Sequence, residues 1–251
     1  MAAPTYVKAS TGSTDAGGAW THTCAAPAAS GRLMILQVIQ TVVTGTVTVS
    51  SVTNMNNLAG TANVMTTGPA LTTANLKLYT FLGRSTGTSA PVVTGGNSGT
   101  DDIYIRCYEF NNCSAGTTLA SVIENVSPGA SLSTSGDTST VNGCDVTTCG
   151  PNRMCLNLIG CKNDNAIGPI TGMAGGTWAE IVAEYSSAVG SPDGMLSCQY
   201  ANLATDGTVS GGSVVMTGAT PWNWGNIGFA IVGSSEIYNY SKTGRGQEHN
   251  P

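Results

Sequence analysis

Charged residues are scarce in this sequence: Asp, Glu, Lys and Arg make up 9% of it, against roughly a quarter of an ordinary soluble domain. The nine basic residues form no stripe and the net charge is −5, so nucleic acid is not expected as a partner. Histidine occurs twice, at His22 and His249. There is no CxxC pair or GxxxxGKS/T loop, and no GxGxxG precedes a helix. The usual signatures of zinc binding and nucleotide binding are therefore missing. No apolar run reaches the roughly 18 residues that cross a bilayer; "LMILQVIQTVV" is interrupted by glutamines. "MAAPTYVKAS" has no apolar stretch behind basic residues, so the expectation is synthesis in a cytoplasm without a signal peptide and no membrane partner.

What replaces charge is Gly, Ser and Thr. Hydrophobic residues make up 41% of the chain, too many for a disordered protein of low net charge. A chain of 251 residues can bury a core without metal or disulfide support. A surface of hydroxyls and amides accompanies life outside cells or in packed assemblies. A virion protein, made in a cytoplasm and released by lysis, satisfies both conditions.

Short β-type runs separated by Gly, Pro, Asn and Ser turns dominate the pattern. Strands are expected near 4–9, 19–25, 32–43, 45–53, 62–66, 75–83, 101–110, 117–125, 153–162, 177–186, 194–203, 213–217 and 226–233. Their even spacing points to a sandwich or barrel with little or no helix. Segments 84–100 and 126–150, rich in Gly, Ser and Thr, read as long loops. "TWAEIVAEYSS" fits a helix through Trp178, Ile181, Val182 and Tyr185, with Thr177 and Glu180 as a capping box. It also alternates, and the flanking glycines favour a strand. No strong internal repeat is visible. The domain reading is one β-sandwich over 1–235 followed by a polar C-terminal arm, 236–251.

Four of the eight cysteines lie in "CDVTTCGPNRMCLNLIGC". Cys155 and Cys161 alternate onto one side of an expected strand, roughly 20 Å apart, beyond the reach of a disulfide. Cys107, Cys155, Cys161 and Cys198 read as small buried apolar residues. Cys144 and Cys149 bound a turn-rich loop whose ends can approach, making them the candidate disulfide. No metal and no cofactor are expected.

Catalytic candidates are weak, and the chain is expected not to be an enzyme. His22 and Cys24 share a strand face, but parallel side chains two residues apart rarely hydrogen-bond. Asp101 and Asp102 read as solvated turn residues, and Glu180 and Glu184 would be roughly 13 Å apart on a strand, too far for glycosidase geometry. Trp222 and Trp224 of "PWNWG" would share a face and offer flat rings to a sugar, or cap an open end of the sandwich. In the polar tail, Ile237, Tyr238 and Tyr240 are candidate assembly contacts, because aromatic anchors within a polar rim suit protein interfaces.

The segments "MAAPTYV", "GAWT", "APAASGRLMILQVIQ", "LGRSTGTSAPVVTGGNSGTDDIYIRCYEF", "NRMCLNLIGCKNDN", "GTWAEIVAEY" and "IGFAIVGSS" together resemble small virion-surface proteins of tailed bacteriophages. The cysteine load and the polar C-terminal extension depart from that resemblance. It implies an antiparallel jelly-roll-like β-sandwich displayed on a head or tail. The expected role is a capsid decoration protein on the virion surface, a homo-oligomer such as a trimer, which binds the major capsid protein or tail proteins and stabilises the shell. The alternative is a tail-associated adhesin recognising host glycans through Trp222 and Trp224.

Overall fold

The stretch Leu33–Gln40 is buried at all eight positions, and Ile103–Phe110 is buried throughout as well. A strand with one face in water would alternate; continuous burial requires cover on both faces. The computed structural model shows what provides it. It describes residues 2–14, 18–40, 45–72, 76–98, 103–127, 140–142, 144–148, 150–162, 167–171, 177–180, 185–186, 194–203, 206–209, 213–216 and 224–234.

The N-terminal half contains β1 (Thr5–Thr14), β2 (Gly18–Thr23), β3 (Leu33–Gln40), β4 (Val47–Val52), β5 (Met55–Asn56), β6 (Thr66–Thr72), β7 (Lys77–Ser85), β8 (Val92–Asn97) and β9 (Ile103–Asn111). A single helical turn, α1 (Leu119–Val122), leads into the C-terminal half. There follow β10 (Ile123–Ser127), β11 (Thr140–Asn142), β12 (Val146–Thr148), β13 (Arg153–Lys162), β14 (Ile167–Thr171), β15 (Thr177–Glu180), β16 (Tyr185–Ser186), β17 (Gly194–Leu203), β18 (Gly207–Val209), β19 (Ser213–Met216) and β20 (Trp224–Val232).

The antiparallel pairs nest. β1 pairs with β9, β2 with β8 and β3 with β7; in the second half β10 pairs with β20, β11 with β19, β12 with β18 and β13 with β17. First strand with last, second with second-to-last, is the winding of a jelly roll, and the expected all-β, jelly-roll-like sandwich is what forms. One sheet runs β1-β9-β3-β7-β5 with β6 also on β7, and another runs β10-β20-β13-β17-β15 with β16 also on β17. The strand order is the same in both. The described strands wind twice in this way, although the chain carries no visible sequence repeat.

The two large sheets pack face to face. Leu33, Ile35, Ile39, Leu78, Leu82, Tyr104, Tyr108 and Phe110 from one meet Met154, Leu156, Leu158, Leu196, Ile227, Phe229 and Ile231 from the other in a shared core. The opposite face of the first sheet meets β2-β8-β4, burying Trp20, Cys24, Met34, Leu36, Val38, Val93, Ile105 and Cys107. The opposite face of the second buries Val146, Cys155, Ala201, Val209 and Ala230. Burying apolar area at about 25 cal/mol per Å² is the main stabilising term of such a stack.

Several local expectations are corrected. Segment 84–100 is not all loop: it contains β8, the middle strand of its sheet. A Cβ at Gly95 would collide with the Trp20 ring and the Thr48 carbonyl, so the glycine admits an indole. Segment 126–150 likewise holds β11 and β12. "TWAE" and "YS" are strands on β17, as the alternation favoured over the helix. Among the described residues the positive-φ positions other than glycine are all asparagines, Asn54, Asn63, Asn112, Asn125 and Asn152, the residue type that best tolerates left-handed backbone at a turn.

Candidate functional site

The seam between the two large sheets carries polar ties across its apolar core. Gln37 on β3 donates from Nε2 to the carbonyl of Ile159 on β13 at 3.1 Å, and Arg106 on β9 donates from Nη1 to the carbonyl of Leu196 on β17 at 3.2 Å. Tyr108 donates its hydroxyl proton to Gln37 Oε1, and burial pushes that hydroxyl well above its ordinary range. Buried, directional bonds of this kind penalise sliding of one sheet on the other.

Each half also buries an ion pair. Glu109 on β9 is 1% exposed and faces Lys8 Nζ and Arg32 Nε, each at 3.7 Å, while the amide of Ala28 donates to its Oε1 at 2.9 Å. Arg153 on β13 has no exposed side-chain surface and grips Glu124 of β10 bidentately, Nε to Oε1 at 2.7 Å and Nη2 to Oε2 at 3.2 Å. Near Glu109 a cavity of about 230 Å³ opens between Ser30, Arg32, Phe110, Asn112, Cys113 and Ser234.

The densest cluster of reactive groups lies inside the N-terminal sandwich. On β2 the burial alternates, with Trp20 and His22 inward and Thr21 and Thr23 outward. Cys24 continues that inward row, its amide donating to the carbonyl of Pro91. Across the core, Ser10 of β1 sits directly opposite Cys107 of β9 in the strand register, and Ser10 Oγ lies 3.2 Å from His22 Nε2. The Cys24 thiol responds to both Cys107 and His22. Its hydrogen bond with Cys107 outweighs the opposing effect of burial and, with help from His22, lowers its pKa from the ordinary 9.0 to about 6. Cys107 moves the other way, because the same bond and complete burial hold its proton.

The hydrogen bond seen at His22 Nε2 is with Ser10 Oγ, and the imidazole acts on the Cys24 thiol from two residues back on the same inward row. Sequence reasoning placed Cys107 in the core, where it lies, but missed its partner. The local signal was inward alternation at Trp20, His22 and Cys24; the other wall comes from Ser10, which lies twelve positions before His22, and from Cys107 on β9.

Comparisons with known proteins add no relative. No family model, curated protein or solved structure matches the chain.

The other expected sites are scattered. Cys144 is buried at 3% exposure, its amide donating to Asn157 Oδ1 and its thiol to the carbonyl of Asn226. Cys149, its expected disulfide partner, lies outside the described residues, as do Trp222, Asp101, Asp102, Glu184, Ile237, Tyr238 and Tyr240. Trp224 opens β20, opposite Cys161 on β13. Cys155 and Cys161 share β13 in an unbroken register, so they run along one strand as expected. Cys155 and Cys198 are buried, and burial pushes the Cys155 thiol up to about 12, which suits an inert core residue. Among the described residues no three His, Cys, Asp or Glu side chains converge as a metal site.

Proposed function

We propose that this chain is a virion structural protein, a head-surface protein that packs on a capsid shell and stiffens it. The observation that carries the reading is the pair of jelly rolls fused through a common core and tied by the Gln37–Ile159 and Arg106–Leu196 bonds. Two sandwiches joined this way form a block without a hinge, which suits a protein that braces a shell against internal pressure.

The outward sheets support it. Thr48, Ser50 and Ser51 are exposed on β4, with Ser51 Oγ 2.5 Å from Thr94 Oγ1 and Ser50 Oγ donating to the Thr94 carbonyl at 3.2 Å. On the second sandwich the exposed Thr147 and Thr208 hydroxyls lie 2.8 Å apart. Packing such a face against another protein exchanges hydroxyl hydrogen bonds and strips no ions of water, which would cost far more. The partners are then the major capsid protein, tail proteins or further copies of the chain, with Ile237, Tyr238 and Tyr240 as anchors of the 236–251 stretch.

The test is occupancy on particles. Deletion of 236–251 should leave the melting temperature nearly unchanged and lower the number of copies on purified particles several-fold. Wild-type occupancy of the truncated chain would remove the anchoring role. Binding to host glycans that is lost in Trp222→Ala or Trp224→Ala would replace the decoration reading by that of a tail-associated adhesin.

A further inference from the structure

Among the described cysteines, Cys24 and Cys107 stand apart. They come from opposite sheets of one sandwich, belong to the same core cluster and are both 2% exposed. The strand geometry places them in one neighbourhood: the register sets Ser10 against Cys107, and the Ser10–His22 contact puts His22, two residues before Cys24 on the same inward row, beside that spot. Neither sulfur is committed to another bond.

We propose that Cys24 and Cys107 are a redox pair that closes into a disulfide between the two sheets of the N-terminal sandwich when the protein meets a small peroxide. Hydrogen peroxide is the fitting oxidant because the thiols are buried and a bulky disulfide such as oxidised glutathione has no route to them.

Cys24 is the attacking group. It gives up its proton more readily than an ordinary thiol, and the thiolate is the nucleophile in such reactions. Its sulfur attacks one peroxide oxygen, the O–O bond breaks and hydroxide leaves, giving Cys24 sulfenic acid. The Cys107 sulfur then attacks the Cys24 sulfur, the S–O bond breaks and the oxygen leaves as water with the Cys107 proton. The proton first lost by Cys24 neutralises the hydroxide. Two thiols and one peroxide become one disulfide and two waters; the sulfurs lose two electrons and the peroxide gains them. Cys107, whose proton is tightly held, is suited to second place, since it acts only once the sulfenic acid beside it has formed.

The inference goes beyond a decoration role and does not depend on it. A staple across the sandwich constrains the unfolded chain over the long loop it closes, which would stabilise the protein outside a reducing environment.

The experiment uses the full reduced chain, treated with hydrogen peroxide, denatured, alkylated and digested without reductant. The expected result is a peptide joining Cys24 to Cys107, with two thiols lost per chain and Cys155 and Cys198 still alkylated. In a Cys24→Ser chain, Cys107 should remain a free thiol under the same treatment. Recovery of Cys24 and Cys107 as separate thiols, Cys24 as sulfinic acid without the link, or equal loss of the Cys107 thiol in the Cys24→Ser chain would each overturn the pairing. Because the first readout is made on the unaltered chain, it stands even if the substituted one folds poorly.

Discussion

In the N-terminal sandwich Arg106 is buried at mid-strand, and the charge buried near a strand end is a carboxylate, Glu109, attended by two cations that keep contact with water: Lys8 is 38% exposed and Arg32 20%. In the C-terminal sandwich it is a guanidinium, Arg153, with no exposure and a paired carboxylate on Glu124. The strand order is the same, and in each half the first strand supplies a partner, Lys8 from β1 or Glu124 from β10. The winding therefore specifies where a charge can be buried near the strand ends and leaves its sign to the sequence. The consequences differ. Lys8 and Arg32 can turn to solvent if their partner is lost, whereas Arg153 cannot.

The largest expected effect tests that asymmetry. Glu124→Ala leaves a fully buried guanidinium without its carboxylate and should cost about 3–5 kcal/mol. Glu109→Ala should cost about 1–3 kcal/mol, chiefly because the Ala28 amide loses its acceptor. Urea denaturation of the two variants measures both, and equal losses would break the comparison.

Next come two glycines that admit close packing. At Gly95 the obstacle to a Cβ includes the Thr48 backbone, which cannot move aside; at Gly160 it is the tip of Ile39, 2.7 Å away, and a flexible side chain can yield. Gly95→Ala should therefore destabilise by about 1–3 kcal/mol, and Gly160→Ala by less. Thermal melts of the two variants, compared with the parent, decide the order.

A further effect is on pH dependence and separates the thiols of the two halves. Cys24 is faced by His22 on β2 and by Cys107 on β9, with Glu109, Lys8 and Arg32 beyond. Its folded pKa is depressed, so between about 6 and 9.0 the unfolded chain binds the additional proton and stability rises with pH. The contribution is lost as pH falls through about 6. A Cys24→Ser chain should lack that slope, and ultraviolet thiolate absorbance of the native protein should grow in as pH rises through about 6. Cys155, held near 12 by burial, should contribute nothing there, and Cys155→Ser should leave both signals unchanged.

What was legible beforehand follows from the range of the interactions involved. Residues 153–162 and 194–203 were readable to the residue because apolar alternation bounded by turn residues is a local pattern. β8 was not, because its glycines answer to Trp20 on another strand. The pairing of Cys24 with Cys107 was hidden for a similar reason: two cysteines separated by most of a sandwich carry no spacing signal.

The amino-acid sequence by itself determined an all-β chain with asparagine- and glycine-marked turns, a charge-poor hydroxyl surface and an apolar stretch at Leu33–Gln40. Those properties follow from side-chain size, polarity and the period-two geometry of a strand. Only the tertiary structure decided that this stretch is covered on both faces, that the winding occurs twice and that His22, Cys24, Ser10 and Cys107 meet. Those facts depend on which faces pack together, and a face is completed by residues from strands far apart in the chain.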